Sequence, residues 1–162
     1  ERLVLPGVGA FGSCMQELRA RGFDQLVRAR VAEGTPLLGV CVGMQMLFEE
    51  SEEFGPHAGL GFLRGCVRRF PKELPVPQVG WNQLQPRRAH SLLANLASGT
   101  FFYFVHSYYC EASDPAVVLA ETEYGVKYPS VISNCNLYGV QFHPEKSQAA
   151  GLRLLKNFAA TV

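Results

Sequence analysis

The sequence has no apolar run approaching the ~20 residues that a membrane-spanning helix needs. Its first residues, Glu1-Arg2 leading into Leu3-Val4-Leu5, do not have the layout of a secretory signal. Charge of one sign is also missing: the formal net charge is +1. The densest basic spots are the pairs Arg68-Arg69 and Arg87-Arg88, too short for a nucleic-acid stripe, so no nucleic-acid or membrane partner is expected. The cysteines, Cys14, Cys41, Cys66, Cys110 and Cys135, are odd in number and contain no Cys-x-x-Cys pair. That excludes a disulfide framework and a structural zinc site, and it suits a reducing, cytoplasmic setting. His57, His90 and His106 have no metal-like mutual spacing, so neither a metal nor another cofactor is expected. Repeats, low-complexity tracts and long linkers are absent as well.

What is present fits one domain over residues 1–162. Leu3-Val4-Leu5 is a short buried strand halted by Pro6-Gly7. Ser13 is placed to cap a helix to about Arg21, and Asp24 a second over Gln25–Glu33. Pro36–Val40 reads as another continuous apolar strand, and Val42–Glu50 as a helix carrying Met44, Leu47 and Phe48. Strand, helix, strand, helix in this order implies parallel pairing with helices over the faces. Cys66–Phe70, Val76–Trp81, Phe101–Tyr109, Val117–Glu121 and Ser130–Ser133 then read as antiparallel additions separated by turns such as Tyr124-Gly125 and Ser133-Asn134. Leu137–Phe142 is the last strand. Ser147 opens a final helix expected to turn Leu152, Leu155, Phe158 and Ala159 inward. The fold class is α/β with a mixed sheet.

Gly39-Val40-Cys41-Val42-Gly43 lies between a buried strand and the following helix, in the form of a nucleophile elbow with cysteine in the central place. A tight strand-to-helix turn lifts that side chain above the sheet edge, and the unpaired N–H groups of a helix start favour a thiolate. Alone, the motif equally fits a buried cysteine in a glycine-flanked turn. The second feature is Gln141-Phe142-His143-Pro144-Glu145-Lys146-Ser147. Pro144 biases His143 towards extended backbone, where residues two apart face the same way, so His143 and Glu145 can lie side by side. Both motifs sit at strand ends, where open α/β sheets bind ligands. A carboxylate orienting an imidazole that deprotonates a thiol is the general nucleophile–base–orienter arrangement. Pro6-Gly7-Val8-Gly9 after the first strand can present backbone donors to an oxyanion; it lacks the Lys-Ser/Thr of a P-loop and no complete G-x-G-x-x-G occurs. The remaining cysteines lack an elbow, and Phe101, Phe102, Tyr103 and Phe104 suit core or interface.

Together these motifs resemble those of the class I, triad-type glutamine amidotransferases, whose signature is a G-x-C-x-G elbow followed by F-H-P-E, here Gly39–Gly43 and Phe142–Glu145. More narrowly, the chain is similar to the glutaminase subunits of imidazole glycerol phosphate synthases. Leu5–Phe11, Gly39–Gln45, Phe48–Glu53, Gly80-Trp81-Asn82, Tyr103–Tyr108 and Gln141–Ser147 carry that narrower match, nearly end to end. The resemblance implies a three-layer, flavodoxin-like fold with a mixed, mainly parallel central sheet and added antiparallel hairpins. It implies hydrolysis of glutamine to glutamate and ammonia through a Cys-His-Glu triad and a glutamyl thioester. The ammonia would pass to a cyclase subunit with a (β/α)8 barrel, in a heterodimer that makes imidazole glycerol phosphate for histidine biosynthesis. Weak activity without the partner is implied too.

By the same resemblance Cys41 is the nucleophile, His143 the base and Glu145 its orienter. Gly7, Gly9, Gln45, Glu53, Ser107 and Tyr108 would hold glutamine, with Val8, Gly9 and Val42 supplying the oxyanion hole. Trp81, Asn82, Tyr103 and Lys146 would face the cyclase. Family members commonly have Thr where Ser107 stands, and both provide a hydroxyl. The family also implies a strand, a helix and a strand ahead of Leu3. This chain has none of them, so it is expected to be an N-terminally truncated domain, less well folded alone than with that segment. Alternative readings are another class I amidotransferase, a cysteine hydrolase of γ-glutamyl amides, or an inactive fragment that acts only as a binding module.

Overall fold

The computed structural model describes residues 1–161. Its elements run β1 (Leu3–Gly7), α1 (Phe11–Ala20), α2 (Phe23–Ala32), β2 (Leu37–Cys41), α3 (Val42–Gln45), β3 (Phe48–Ser51), β4 (His57–Ala58) and β5 (Leu63–Arg69). There follow β6 (Gln78–Gln83), β7 (Gln85–Pro86), β8 (Phe101–His106), β9 (Tyr108–Ala112), β10 (Val118–Tyr124), β11 (Val126–Asn134), β12 (Leu137–Val140) and α4 (Gln148–Ala160).

The central sheet has the order β1-β2-β12-β11-β10-β7. β1, β2 and β12 are parallel neighbours, and β11, β10 and β7 extend the sheet antiparallel. β2 lies inside the parallel block and every one of its residues is buried, which is why it reads as an unbroken apolar run. The two faces are covered differently. α3 presses against Gly39 and Gly139 on one, while Phe158 of α4 meets Tyr138 on the other. That is the α/β three-layer plan. A four-stranded sheet, β4-β3-β5-β9, and the pair β6-β8 are added to it.

The parallel block matches the expectation from sequence; several boundaries do not. α3 stops at Gln45, and Phe48–Ser51 is a strand paired in parallel with β5 rather than the end of a helix. A short apolar run does not distinguish the two, and β5 decides it by offering a partner. α1 starts at Phe11, without a side-chain cap from Ser13; the Phe11 N–H donates instead to Glu53 Oε2 at 2.7 Å, a cap supplied from a distant loop. Asp24 lies inside the first turn of α2, where its charge suits the helix dipole. Phe101–Tyr109 is two strands, because the chain leaves β6 and joins β5 at Ser107. In α4 the buried stripe is Gly151, Leu154 and Phe158, while Leu152 and Ala159 face solvent. No helix among the described residues is long and apolar enough to cross a membrane.

Candidate active site

Cys41 ends β2 and precedes the first residue of α3, with φ 55° and ψ −113°. A non-glycine residue held there costs on the order of 1–3 kcal/mol, and only a rigid surround maintains it. The flanking glycines are that surround. A Cβ on Gly43 would stand 1.8 Å from the Leu5 carbonyl oxygen, and one on Gly39 2.6 Å from the Gly43 carbonyl oxygen. Strand, elbow and helix therefore pack backbone on backbone, leaving the cysteine side chain one direction to point.

The sulfur is almost enclosed. Its S–H lies 3.9 Å from the Val105 carbonyl oxygen, the Gln141 side-chain amide donates to it at 3.7 Å, and the Val42 N–H faces it. Burial pushes the thiol up to about 11, which outweighs the Val42 and Gln141 donors; the Glu145 charge pushes the same way as burial. Such a thiol is protonated at neutral pH and needs a base before it can attack.

The imidazole expected to act as base lies just past the end of β12. His143 has extended backbone, and its N–H donates to the Tyr103 carbonyl at 2.9 Å. Pro144–Lys146 then forms a 3-10 turn, so Glu145 reaches the imidazole by turning back rather than by strand alternation. Its Oε1 lies 2.8 Å from His143 Nδ1. A carboxylate only accepts, so Nδ1 carries the proton, and in the neutral ring Nε2 is then the acceptor. Ser147 holds this turn in place: its Oγ donates to the His143 carbonyl at 2.7 Å and accepts from the Tyr103 N–H at 3.0 Å.

One cavity of about 470 Å³ collects these groups. Cys41, His143 and Glu145 line it together with Gly7, Val8, Gly9 and Val42, which include the residues expected to supply backbone donors. Gln45, Glu53, Ser107 and Tyr108 complete the wall. Every residue expected in the triad, the substrate contacts and the oxyanion loop thus borders the same space. Gln45 spends both amide hydrogens on protein acceptors, while its oxygen bonds no protein donor and is not sealed from solvent, which leaves it free for a ligand. A roomier cavity of about 560 Å³ runs along the free edge of β1. Its walls hold Cys14 but no imidazole, so only the smaller of the two brings a thiol and an imidazole together.

The expected partner face is assembled only in part. Trp81 and Tyr103 meet edge to face at 6.0 Å, and Lys146 Nζ lies 5.9 Å from the Tyr103 ring, beside the cavity mouth. Asn82 follows Trp81 on a strand and so faces the other way; its amide donates to the Glu123 carbonyl at 2.9 Å. Sequence reasoning passed over two buried residues. Gln141 touches the sulfur from inside a motif quoted for its neighbours, and His106 forms part of the cavity wall. Their places depend on contacts that no spacing announces. Among the described residues no three His, Cys, Asp or Glu side chains gather as a metal site.

The family model for class-I glutamine amidotransferases matches residues 1–162. The chain is 54% identical to imidazole glycerol phosphate synthase subunit HisH of Symbiobacterium thermophilum, across 99% of this chain and 76% of that protein. It is 53% identical to the subunit of the same name from Salinibacter ruber, across 99% and 77%. Among solved structures, PurLQS from Thermotoga maritima aligns with a TM-score of 0.74 at 16% identity, covering 98% of this chain and 78% of that one. A crystal structure of a glutamine amidotransferase aligns with a TM-score of 0.71 at 23% identity, covering 98% and 79%. At these identities the solved structures speak for the fold alone.

Proposed function

This chain belongs to the class-I glutamine amidotransferase family, and on that premise we propose that it is the glutaminase of an imidazole glycerol phosphate synthase, hydrolysing glutamine at Cys41. The observation that carries the proposal is the His143–Glu145 hydrogen bond at 2.8 Å, on a turn that shares its cavity with the cysteine elbow. The identity to synthase subunits over nearly the whole chain narrows the family to this member.

His143 Nε2 takes the Cys41 thiol proton as the sulfur attacks the side-chain carbonyl carbon of glutamine. The imidazolium that forms is stabilised by Glu145. The oxyanion of the tetrahedral intermediate receives N–H groups from the Val8–Gly9 loop and Val42. Collapse breaks the C–N bond, and His143 returns the proton to the departing nitrogen, giving ammonia and a glutamyl thioester. Water, deprotonated by the same imidazole, then attacks the thioester and releases glutamate and the thiol. Glu53 offers a carboxylate to the substrate ammonium, and the free oxygen of Gln45 accepts from a substrate N–H. Gly7, Ser107 and Tyr108 line the remaining contact surface.

The ammonia goes to a cyclase subunit built as a (β/α)8 barrel, in a cytoplasmic heterodimer seated against Trp81, Tyr103 and Lys146. Asn82 serves that face indirectly, by tying its strand to β10. No cofactor is required by this chemistry. The test uses the Cys41→Ala variant with its cyclase. Glutamine-dependent turnover is lost while turnover with external ammonia stays at the parent rate. Ammonia release from glutamine at the parent rate would exclude Cys41 as nucleophile.

A further inference from the structure

A single backbone carbonyl dictates how the side-chain amides beside the nucleophile are turned. The Tyr108 carbonyl accepts from Gln45 Nε2 at 3.0 Å and lies 2.8 Å from His106 Nδ1. A carbonyl only accepts, so Gln45 presents its NH2 group there and not its oxygen. The second hydrogen of that NH2 goes to Gln141 Oε1, 3.1 Å away. Gln141 therefore turns its own NH2 away from Gln45, and that group meets Cys41 Sγ at 3.7 Å. Reversing Gln45 would set oxygen against oxygen; reversing Gln141 would set NH2 against NH2. Gln141 is fully buried, so water is not at hand to repair a mismatch between the two amides. The polarity of the Tyr108 carbonyl is thus passed through two amides to the sulfur.

We propose that Gln141 is a positioning residue for the nucleophile: its amide N–H, aimed by Gln45 and the Tyr108 carbonyl, holds the Cys41 sulfur and favours its thiolate. The inference rests on Cys41 being the nucleophile. An N–H···S bond is weak to a neutral thiol and strengthens when the sulfur becomes anionic. The sulfur carries charge twice in the cycle, as His143 removes its proton and again as it leaves the thioester. In the thioester itself that charge is gone. Gln141 therefore acts on both chemical steps and not on substrate binding. Its bland alternative, an amide that merely satisfies its own hydrogen bonds in the core, predicts no effect on the sulfur's ionisation.

The experiment is carried out on the chain in complex with its cyclase, comparing the parent, Gln141→Met and Gln141→Glu. Met keeps the length without a donor, and Glu sets an acceptor or a charge beside the sulfur. Cys41 alkylation by iodoacetamide is followed against pH by peptide mass, which separates it from the other cysteines. The midpoint is expected to rise by about one unit in Gln141→Met and further in Gln141→Glu. kcat is expected to fall about tenfold in Gln141→Met, with KM changed less than about twofold. Unfolding cannot produce that ordered shift. Should a variant fail to fold, the parent still decides. The Gln141 side-chain N–H resonance, seen with 15N-labelled glutamine, is expected to move as Cys41 ionises and to stay still in Cys41→Ala. A parent-like midpoint and kcat in Gln141→Met, or a Gln141 resonance indifferent to Cys41 ionisation, would overturn the proposal. Neither result touches the role of Cys41, which fails separately if Cys41→Ala still hydrolyses glutamine.

Discussion

The Phe11 backbone N–H donates to Glu53 Oε2 at 2.7 Å, across 42 residues of sequence. The carboxylate assigned to the substrate ammonium therefore also anchors the start of α1, directly after the Gly7–Gly9 loop. Under that assignment, one side chain would serve both binding and loop position.

Glu53 substitutions should separate those two roles. Glu53→Gln keeps an oxygen for Phe11 but loses the charge, so KM for glutamine is expected to rise about 10-fold or more, with the urea midpoint nearly unchanged. Glu53→Ala loses both, and costs about 1 kcal/mol of stability in addition. Steady-state kinetics and urea denaturation check the pair. Equal KM values for Glu53→Gln and the parent would remove Glu53 from substrate binding.

Gly43→Ala should damage the fold rather than the chemistry alone. The new Cβ would stand 1.8 Å from the Leu5 carbonyl oxygen, and backbone on both sides must move to relieve it. A loss of more than about 2 kcal/mol is expected in urea denaturation. A loss below ~0.5 kcal/mol would mean that the elbow and β1 are not packed as described.

His106 predicts a pH dependence of stability. Burial presses its imidazole down to about 4 from an ordinary 6.5, while the hydrogen bond to the Tyr108 carbonyl opposes that shift. The fold thus prefers the neutral ring. Its contribution is complete above pH 6.5 and is lost as the pH falls from 6.5 towards 4. Over that window the parent should lose roughly 3 kcal/mol more than His106→Asn, which keeps an N–H for Tyr108 without titrating. Urea midpoints measured across the range test this, and parallel curves for the two proteins would refute it.

Trp81→Ala should act on the partner and leave glutamine alone. The ring is half exposed and meets Tyr103 edge to face, next to the Lys146 ammonium. An aromatic anchor of this kind is worth about 2 kcal/mol, so cyclase affinity is expected to drop roughly 30-fold by calorimetry. Unchanged affinity would place the cyclase elsewhere.

Much of this site was legible from local spacing because its demands are local. Gly39 and Gly43 flank Cys41 because the backbone at the elbow leaves no room for a Cβ, and their spacing carries that restriction in the sequence. The pairing of His143 with Glu145 was also visible, although the means was not. Extended backbone was expected to bring them together, and a 3-10 turn does so. The helix expected over Val42–Glu50 ends at Gln45 instead, because Met44, Leu47 and Phe48 fit a helical stripe while the parallel partner β5, which claims Phe48–Ser51, is invisible in local spacing.

By itself the sequence determined the parallel block around β2, the two motifs at its strand ends and the family. These depend on residue type and short-range order, which a chain carries wherever it folds. Only the tertiary structure decided that Glu53 caps α1, that the chain changes sheets at Ser107, and that Gln45 turns Gln141 towards the sulfur. Those contacts join residues 42, 63 and 96 positions apart in the cases of Phe11–Glu53, Gln45–Tyr108 and Gln45–Gln141. A hydrogen bond depends on a few tenths of an ångström and on which atom faces which. Such placement exists only once the sheets have brought distant segments together.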